Sequence, residues 1–510
     1  MKAASTPSAA ALARLFAICA LLLTAFRLWM AAVTPITGDE AYFIWWGKIP
    51  DWGFYDHPPM IGWWLAALLE VSEAAWWLRL PLVVQPALLG LMVALALRRQ
   101  DVHAAWAAAL FTMLAPATVW NVFITTDTPL IYFCVGATLA FARALERDQF
   151  AWYGLAGILL GGALLSKYFA GMLALAFAAA VLLQPTAKRL AGLLLVALLS
   201  AALFATNLWW NWDHCWANFM FNLINRHDQS GFSWGTPPLY VVMMAYLLTP
   251  PLLWQAWRGR TQIAALVAQA PGRAYACAVA LPLTLFALMS PVKTIGMHWV
   301  LSFLPPLFIL CALALPREKL TGLLRFFIGF ALLHIVLIIA IAANPVERWA
   351  KSRHYDGIVL TVKADDLLRH LEPYRDWLWA TDGYSPAVTL SYNARRYFFV
   401  FGAASSHARH DDILTDFRSM DGKNIAMLLK SKPDLGKITP YFERTEVQDF
   451  EEHGARFWIV LGHAFRYADY REAVLDPARR HWYAIPHWLP RGRCYFCERY
   501  FPDRACRKEN

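Results

Sequence analysis

Thr37-Gly38-Asp39-Glu40 sets two carboxylates side by side, and Asp56-His57 follows shortly after in the same stretch of chain. Side chains of these types suit two kinds of chemistry. A carboxylate within hydrogen-bond reach of a hydroxyl accepts its proton. Cations and N–H donors steady an oxyanion. Further candidates come at intervals: Arg79, Asp127 in Thr125-Thr126-Asp127-Thr128-Pro129, Lys167 in Ser166-Lys167-Tyr168, then Asn207, Asn211, Asp213, His214, Arg226, His227 and Asp228, and finally Lys293 and His298. Each has a plainer explanation. Asp39 and Glu40 suit the first turn of a helix, where carboxylates meet the positive end of the dipole. Asp127 suits an N-cap ahead of Pro129. Lys167 can carry its amine to a membrane interface, and His57 before Pro58-Pro59 can be an ordinary loop residue. The case rests on their conjunction. His214 and His227 lack partners at metal-ligand spacing, so no metal is expected. No glycine pattern for a nucleotide is present either.

The elements that position these residues are membrane helices. Of the 510 residues 59% are hydrophobic and 16% charged, whereas soluble domains carry about 25% charge. Such a chain needs lipid around it. Apolar runs fall near residues 12–33, 80–97, 104–124, 128–145, 152–165, 169–184, 190–210, 237–257, 274–291, 298–315 and 323–343. They predict about eleven spans, with thirteen as the upper bound. With the N-terminus in the cytoplasm, fourteen Lys and Arg fall in the inner loops and five in the outer ones. That asymmetry fixes the orientation. It also accounts for the net charge of +10 without nucleic acid.

The candidate residues then share the outer face, contributed by five loops. The loop 34–79 follows the first span, and residues 344–510 lie outside as a soluble domain after the membrane domain 1–343. Helical pieces at 363–372 and 387–392 alternate with strand-like pieces at 377–381, 397–401 and 457–461, which predicts an α/β fold. The fold class is a polytopic α-helical membrane protein with a C-terminal extracytoplasmic α/β domain. Residues 15–33 are long for a signal sequence and show no clear cleavage pattern, so they read as an uncleaved span. Cys494-x-x-Cys497 with Cys506 lacks the second pair of a zinc ribbon. A disulfide in an oxidising compartment is expected instead, with the pairing left open.

The ordered set Thr37-Gly38-Asp39-Glu40-Ala41-Tyr42, Asp51-Trp52-Gly53-Phe54-Tyr55-Asp56-His57-Pro58-Pro59, Arg79-Leu80-Pro81, Thr126-Asp127-Thr128-Pro129, Leu165-Ser166-Lys167-Tyr168 and Asn211-Trp212-Asp213-His214 resembles the GT-C glycosyltransferases. The likeness is to the bacterial branch related to protein O-mannosyltransferases and the lipid A aminoarabinose transferase. It is strong over residues 35–230 and only architectural in the tail. The resemblance implies a multi-pass inner-membrane enzyme with a periplasmic active site. It implies transfer of a sugar from a polyprenyl-phosphate donor to a lipid, glycan or protein acceptor, by inversion and without a cofactor or divalent metal. It makes Asp39 the candidate base, Asp127 the second acidic position, and Glu40 a member of the acidic pair that also supports the loop. Lys167 leads the candidates for the lipid phosphate or sugar, followed by His57, Arg79, Tyr55, Tyr168, Asn211, His214, Arg226, Lys293 and His298. His57 stands where the aminoarabinose branch carries a lysine, so that branch's substrate is not carried over. The rival reading is a lipid-linked sugar transporter or flippase. It predicts charged residues or broken helices near the bilayer midplane, and the apolar runs are almost uncharged.

Overall fold

The computed structural model describes residues 6–225, 231–402, 410–504 and 506–508. It divides into two units. The first comprises Met1–Thr34, Ser72–Thr206 and Ser230–Ala342, and the second Pro35–Val71, Asn207–Gln229 and Ala343–Asn510. The sequence reading placed 34–79 and the segment after the seventh apolar run in the membrane domain. The structure instead groups most of both with the C-terminal residues.

In the first unit each apolar run is helical, because buried backbone in lipid satisfies its own hydrogen bonds only in that way. The eleven expected spans are not all single long helices, however. Among the described residues six helices are long and apolar enough to cross a membrane: Ala9–Val33, Ala75–Leu97, Asp127–Arg147, Ala187–Asp213, Ala270–Met289 and Arg317–Ala342. Two more candidates are bent pairs, Thr236–Leu248 with Pro250–Arg258 at 84° and Met297–Phe303 with Pro305–Ala314 at 46°. Both bends fall at double prolines, which lack the N–H that continues a helix. Val102–Leu114, Phe150–Leu164 and Tyr168–Leu182 are shorter. The first of these can be short because protein surrounds it: Ala104, Ala105, Ala107, Ala108, Ala109 and Leu110 are all buried. Small side chains let neighbouring helices approach closely.

The second unit contains a five-stranded sheet of β1 (Leu378–Thr381), β2 (Phe399–Val400), β3 (Ile425–Leu429), β4 (Phe442–Glu452) and β5 (Ala455–Phe465). Its order is β2-β1-β3-β5-β4. β1 pairs in parallel with β2 and β3, while β5 runs antiparallel to β3 and β4. The helix Gly38–Lys48 belongs to this unit and starts in a capping box. Thr37 Oγ1 accepts from the Glu40 N–H at 3.4 Å, and Glu40 Oε2 accepts from the Thr37 N–H at 3.0 Å. Gly38 packs closely there: a Cβ would lie 2.2 Å from Ser385 Oγ, at the start of the helix Tyr384–Ala394, and would force that hydroxyl to turn away.

Residues 212–216 pair with the C-terminal segment. Cys215 donates its N–H to the Arg493 carbonyl at 2.8 Å, and Arg493 donates to the Trp212 carbonyl at 3.0 Å. Cys215 is disulfide-bonded to Cys494, and Cys497 to Cys506. A disulfide was expected in the tail, but Cys215 was not among the cysteines considered for it. These links explain why the segment 207–229 groups with the tail.

Candidate functional site

In the first unit the chain brings a carboxylate and an amine together across two helix starts. Asp127 opens the helix Asp127–Arg147, and Lys167 sits in the turn after Phe150–Leu164. Lys167 Nζ donates to Asp127 Oδ2 at 2.8 Å, with both side chains buried. His298 Nε2 lies 3.8 Å from the same oxygen and is half exposed. The ammonium also sits over the rings of Phe169 at 5.3 Å and Trp299 at 5.8 Å, a favourable cation–π setting. Asp127 Oδ1 is buried and has no hydrogen-bond partner among the described residues. An unmet buried carboxylate oxygen is costly and therefore a natural place for a ligand's donor. The capping and snorkelling explanations of Asp127 and Lys167 give way to this ion pair.

Residues outside the candidate set hold this centre. Asn121–Thr126 is non-helical and leads into Asp127. Arg27, buried in the first span, donates to the carbonyls of Val83 at 3.3 Å, Leu82 at 2.5 Å, Asn121 at 2.7 Å and Thr118. Gln85 Nε2 donates to the Thr128 carbonyl at 3.0 Å. A cation inside a span is a functional signal in its own right, the one signal in the sequence that could have singled out Arg27. Arg79 is fully buried, and its Nη1 donates to the carbonyls of Ala31 at 2.9 Å and Thr34 at 2.8 Å. It joins the end of the first span to the next helix. Tyr168 packs its ring edge-on against Phe204 at 5.6 Å, and Lys293 is half-buried just after Ala270–Met289.

In the second unit Asp39 is exposed, and its Oδ1 accepts from Tyr384 OH at 3.0 Å. Glu40 is fully buried, and its carboxylate closes the capping box described above. The two neighbouring acids therefore have different surroundings. Tyr384 also lines a small aromatic pocket with Tyr42, Trp45, Trp46, Tyr397 and His410. Tyr42 OH donates to Asp56 Oδ1 at 3.1 Å, and His57 is half-buried near Phe43 and Trp46. Tyr55 is fully buried against Phe221 and Tyr483, which makes it a core residue. Asn211 accepts from the Phe219 N–H at 3.1 Å, and His214 stacks on Trp210 with 4.3 Å between ring centres. Both stabilise the end of a helix. Arg226 lies outside the described residues, as do His227 and Asp228.

Two titrating groups in this unit escaped the sequence reading. His410 is enclosed by Trp46 and Phe54, and its Nδ1 has no partner among the described residues. Burial, reinforced by nearby His214, pushes its pKa down to about 3. Asp412 accepts from Tyr483 OH at 2.7 Å, and burial together with Asp411 holds its carboxyl well above the usual carboxylate range. The signs differ. A depressed histidine stabilises the fold fully above its unfolded value near pH 6.5 and less as pH falls. The raised carboxyl does the opposite, losing stability as pH rises above about 4. Acidification to pH 5 is expected to cost about 2 kcal/mol through His410. Thermal unfolding of His410→Phe and wild type at pH 8 and pH 5 isolates this contribution: the variant should lose less on acidification.

Residues 56–210, which contain Asp127 and Lys167, match the family model described as dolichyl-phosphate-mannose-protein mannosyltransferase. The chain is 31% identical over 225 residues to the lipid A galacturonosyltransferase RgtD of Rhizobium johnstonii, covering 42% of this chain and 46% of RgtD. The match thus spans less than half the length of that relative. The crystal structure of ArnT from Cupriavidus metallidurans bound to undecaprenyl phosphate superimposes with a TM-score of 0.62 at 16% identity, covering 88% of this chain and 97% of ArnT. Its apo form gives 0.60. The chain has the fold of ArnT, and part of it is similar to the mannosyltransferase family model and to RgtD, both of them glycosyltransferases by description.

Proposed function

We propose that this chain transfers a sugar from a polyprenyl-phosphate donor to an acceptor hydroxyl or phosphate on a lipid, glycan or protein at the periplasmic face of the inner membrane. The observation that carries this reading is the buried Asp127–Lys167 pair inside the segment that matches the mannosyltransferase family. ArnT binds undecaprenyl phosphate and RgtD acts on lipid A, which supports a lipid-linked donor and a glycolipid among the acceptors to test.

In the proposed reaction Asp39 accepts the proton of the attacking hydroxyl. The hydroxyl oxygen bonds to the anomeric carbon, and the carbon–oxygen bond to the phosphate breaks with inversion. The leaving polyprenyl phosphate is a stable anion, so donors and cations suffice for it. Lys167, whose ammonium donates to Asp127, and His298, exposed beside the pair, are the cations proposed for it. Asp127 Oδ1 is proposed to receive a substrate hydroxyl. Tyr384 fixes one Asp39 oxygen and leaves the other to act as base. No divalent metal or cofactor takes part.

The disulfides Cys215–Cys494 and Cys497–Cys506 support an oxidising compartment for the second unit, in agreement with the Lys and Arg asymmetry. Thiol labelling of intact spheroplasts after mild reduction tests that orientation. Labelling of Cys494 and Cys506 by a membrane-impermeant reagent is expected, and labelling only after lysis would reverse the topology. Transfer of labelled sugar by the purified protein tests the reaction itself.

A further inference from the structure

The hairpin between β4 and β5 closes over two residues, His453 and Gly454, with φ of 51° and 75°. Two successive positive φ values define a tight hairpin turn that favours Asn-Gly. A histidine in the first position is a poor choice for the backbone. Its surroundings give it another use.

His453 Nε2 lies 2.7 Å from Asp366 Oδ2 and 3.8 Å from Glu452 Oε1, while its Nδ1 lies 3.4 Å from Glu347 Oε1. The other oxygen of Glu452 is 3.1 Å from His370 Nε2, and that ring stacks on Phe450 at 3.9 Å. The ligand atoms of Asp366, Glu452 and His453 all lie within 4.8 Å of one another. They come from three places in the chain: the short helix Ala364–Leu368, the end of β4, and the turn. Arg369 pairs with the remaining oxygen of Asp366 at 2.8 Å.

We propose that Asp366 Oδ2, Glu452 Oε1 and His453 Nε2 bind a divalent cation of the zinc type, with water in the fourth position. Zinc takes nitrogen and carboxylate oxygen at about 2.0–2.2 Å, so tetrahedral ligand atoms stand about 3.4 Å apart. The observed 2.7 and 3.8 Å bracket that spacing. The outer groups also fit. A ligating histidine ordinarily gives its second N–H to a carboxylate, and ligating carboxylates are themselves hydrogen-bonded. Glu347 serves His453 in this way, and His370 serves Glu452. Without the cation, a ring facing carboxylates on both sides needs two protons. The cation replaces the one on Nε2, so binding releases it. The site ties the hairpin to Ala364–Leu368 and stands apart from the transfer chemistry.

The test uses untagged full-length protein in detergent, stripped with chelator and titrated with Zn²⁺ at pH 7.5. Wild type should bind one equivalent at micromolar affinity or tighter, with a Tm higher by several degrees. His453→Asn removes the ligand but installs the favoured Asn-Gly turn, so it should remain folded, bind no zinc at this site and show no Tm shift. Asp366→Asn should weaken binding at least tenfold. Failure of wild type to bind zinc, or an unchanged stoichiometry and Tm shift in His453→Asn, would overturn the proposal.

Discussion

Asp39→Asn is expected to lower sugar transfer by about 10²–10⁴-fold, the usual contribution of a positioned general base. The amide keeps the size of the side chain and can still accept from Tyr384 OH, which now lies 3.0 Å from Oδ1. It cannot take up a proton. Because Asp39 is exposed and its neighbour Glu40 carries the capping box, the helix Gly38–Lys48 should form as before. Unfolding temperature should therefore change little while turnover collapses. Substrate affinity should hold as well, so the loss belongs in kcat. Tyr384→Phe is a graded companion: it leaves the base but frees its orientation, and a smaller loss is expected. Equal transfer by Asp39→Asn and wild type would remove Asp39 as the base.

Lys167→Met should destabilise the first unit by about 3–5 kcal/mol, because it leaves the buried Asp127 carboxylate without its counter-charge. His298 at 3.8 Å is half exposed and offers only partial compensation. The double variant Lys167→Met with Asp127→Asn removes both charges and should recover much of that stability. It should not recover transfer, since the ammonium and the carboxylate are both proposed to meet substrate. Thermal unfolding and turnover measured on wild type and these two variants separate these effects. Restored turnover in the double variant would reduce the pair to a structural role.

The contrast between these two acids shows what a sequence can and cannot display. Thr37-Gly38-Asp39-Glu40 reads as a helix start, and one of the two carboxylates does cap it. The Thr37-x-x-Glu40 spacing singles out Glu40 as that cap, whereas the contact of Asp39 with Tyr384 leaves no trace in spacing. Apolar periodicity located the helices well, but a run of apolar residues does not reveal a break at Pro250-Pro251 or Pro305-Pro306 when the composition continues across it. Strand β3 is the uniform apolar stretch Ile425–Leu429, too short and too even for periodicity to separate strand from helix. Strand β4, exposed along most of its length, carries too little alternation to stand out.

The missed site residues share a cause. Arg27 is embedded in an apolar run, and its partners are backbone carbonyls, which leave no trace in side-chain motifs. Tyr384 meets Asp39 across 345 positions, and Cys215 meets Cys494 across 279. Such pairings depend on the fold being known first. Asp127 and Lys167, by contrast, are only 40 residues apart, and each sits in a short motif at a helix start. They were legible as candidates, though their ion pair was not.

The most direct test is transfer of label from a panel of polyprenyl-phosphate sugars by purified wild-type protein, with glycolipid, glycan and peptide acceptors supplied and a nucleotide sugar as an alternative donor. Transfer from at least one polyprenyl-phosphate sugar, persisting in chelator, is the predicted result, and it would name the donor. Transfer from the nucleotide sugar alone, or from no donor to any acceptor, would contradict it.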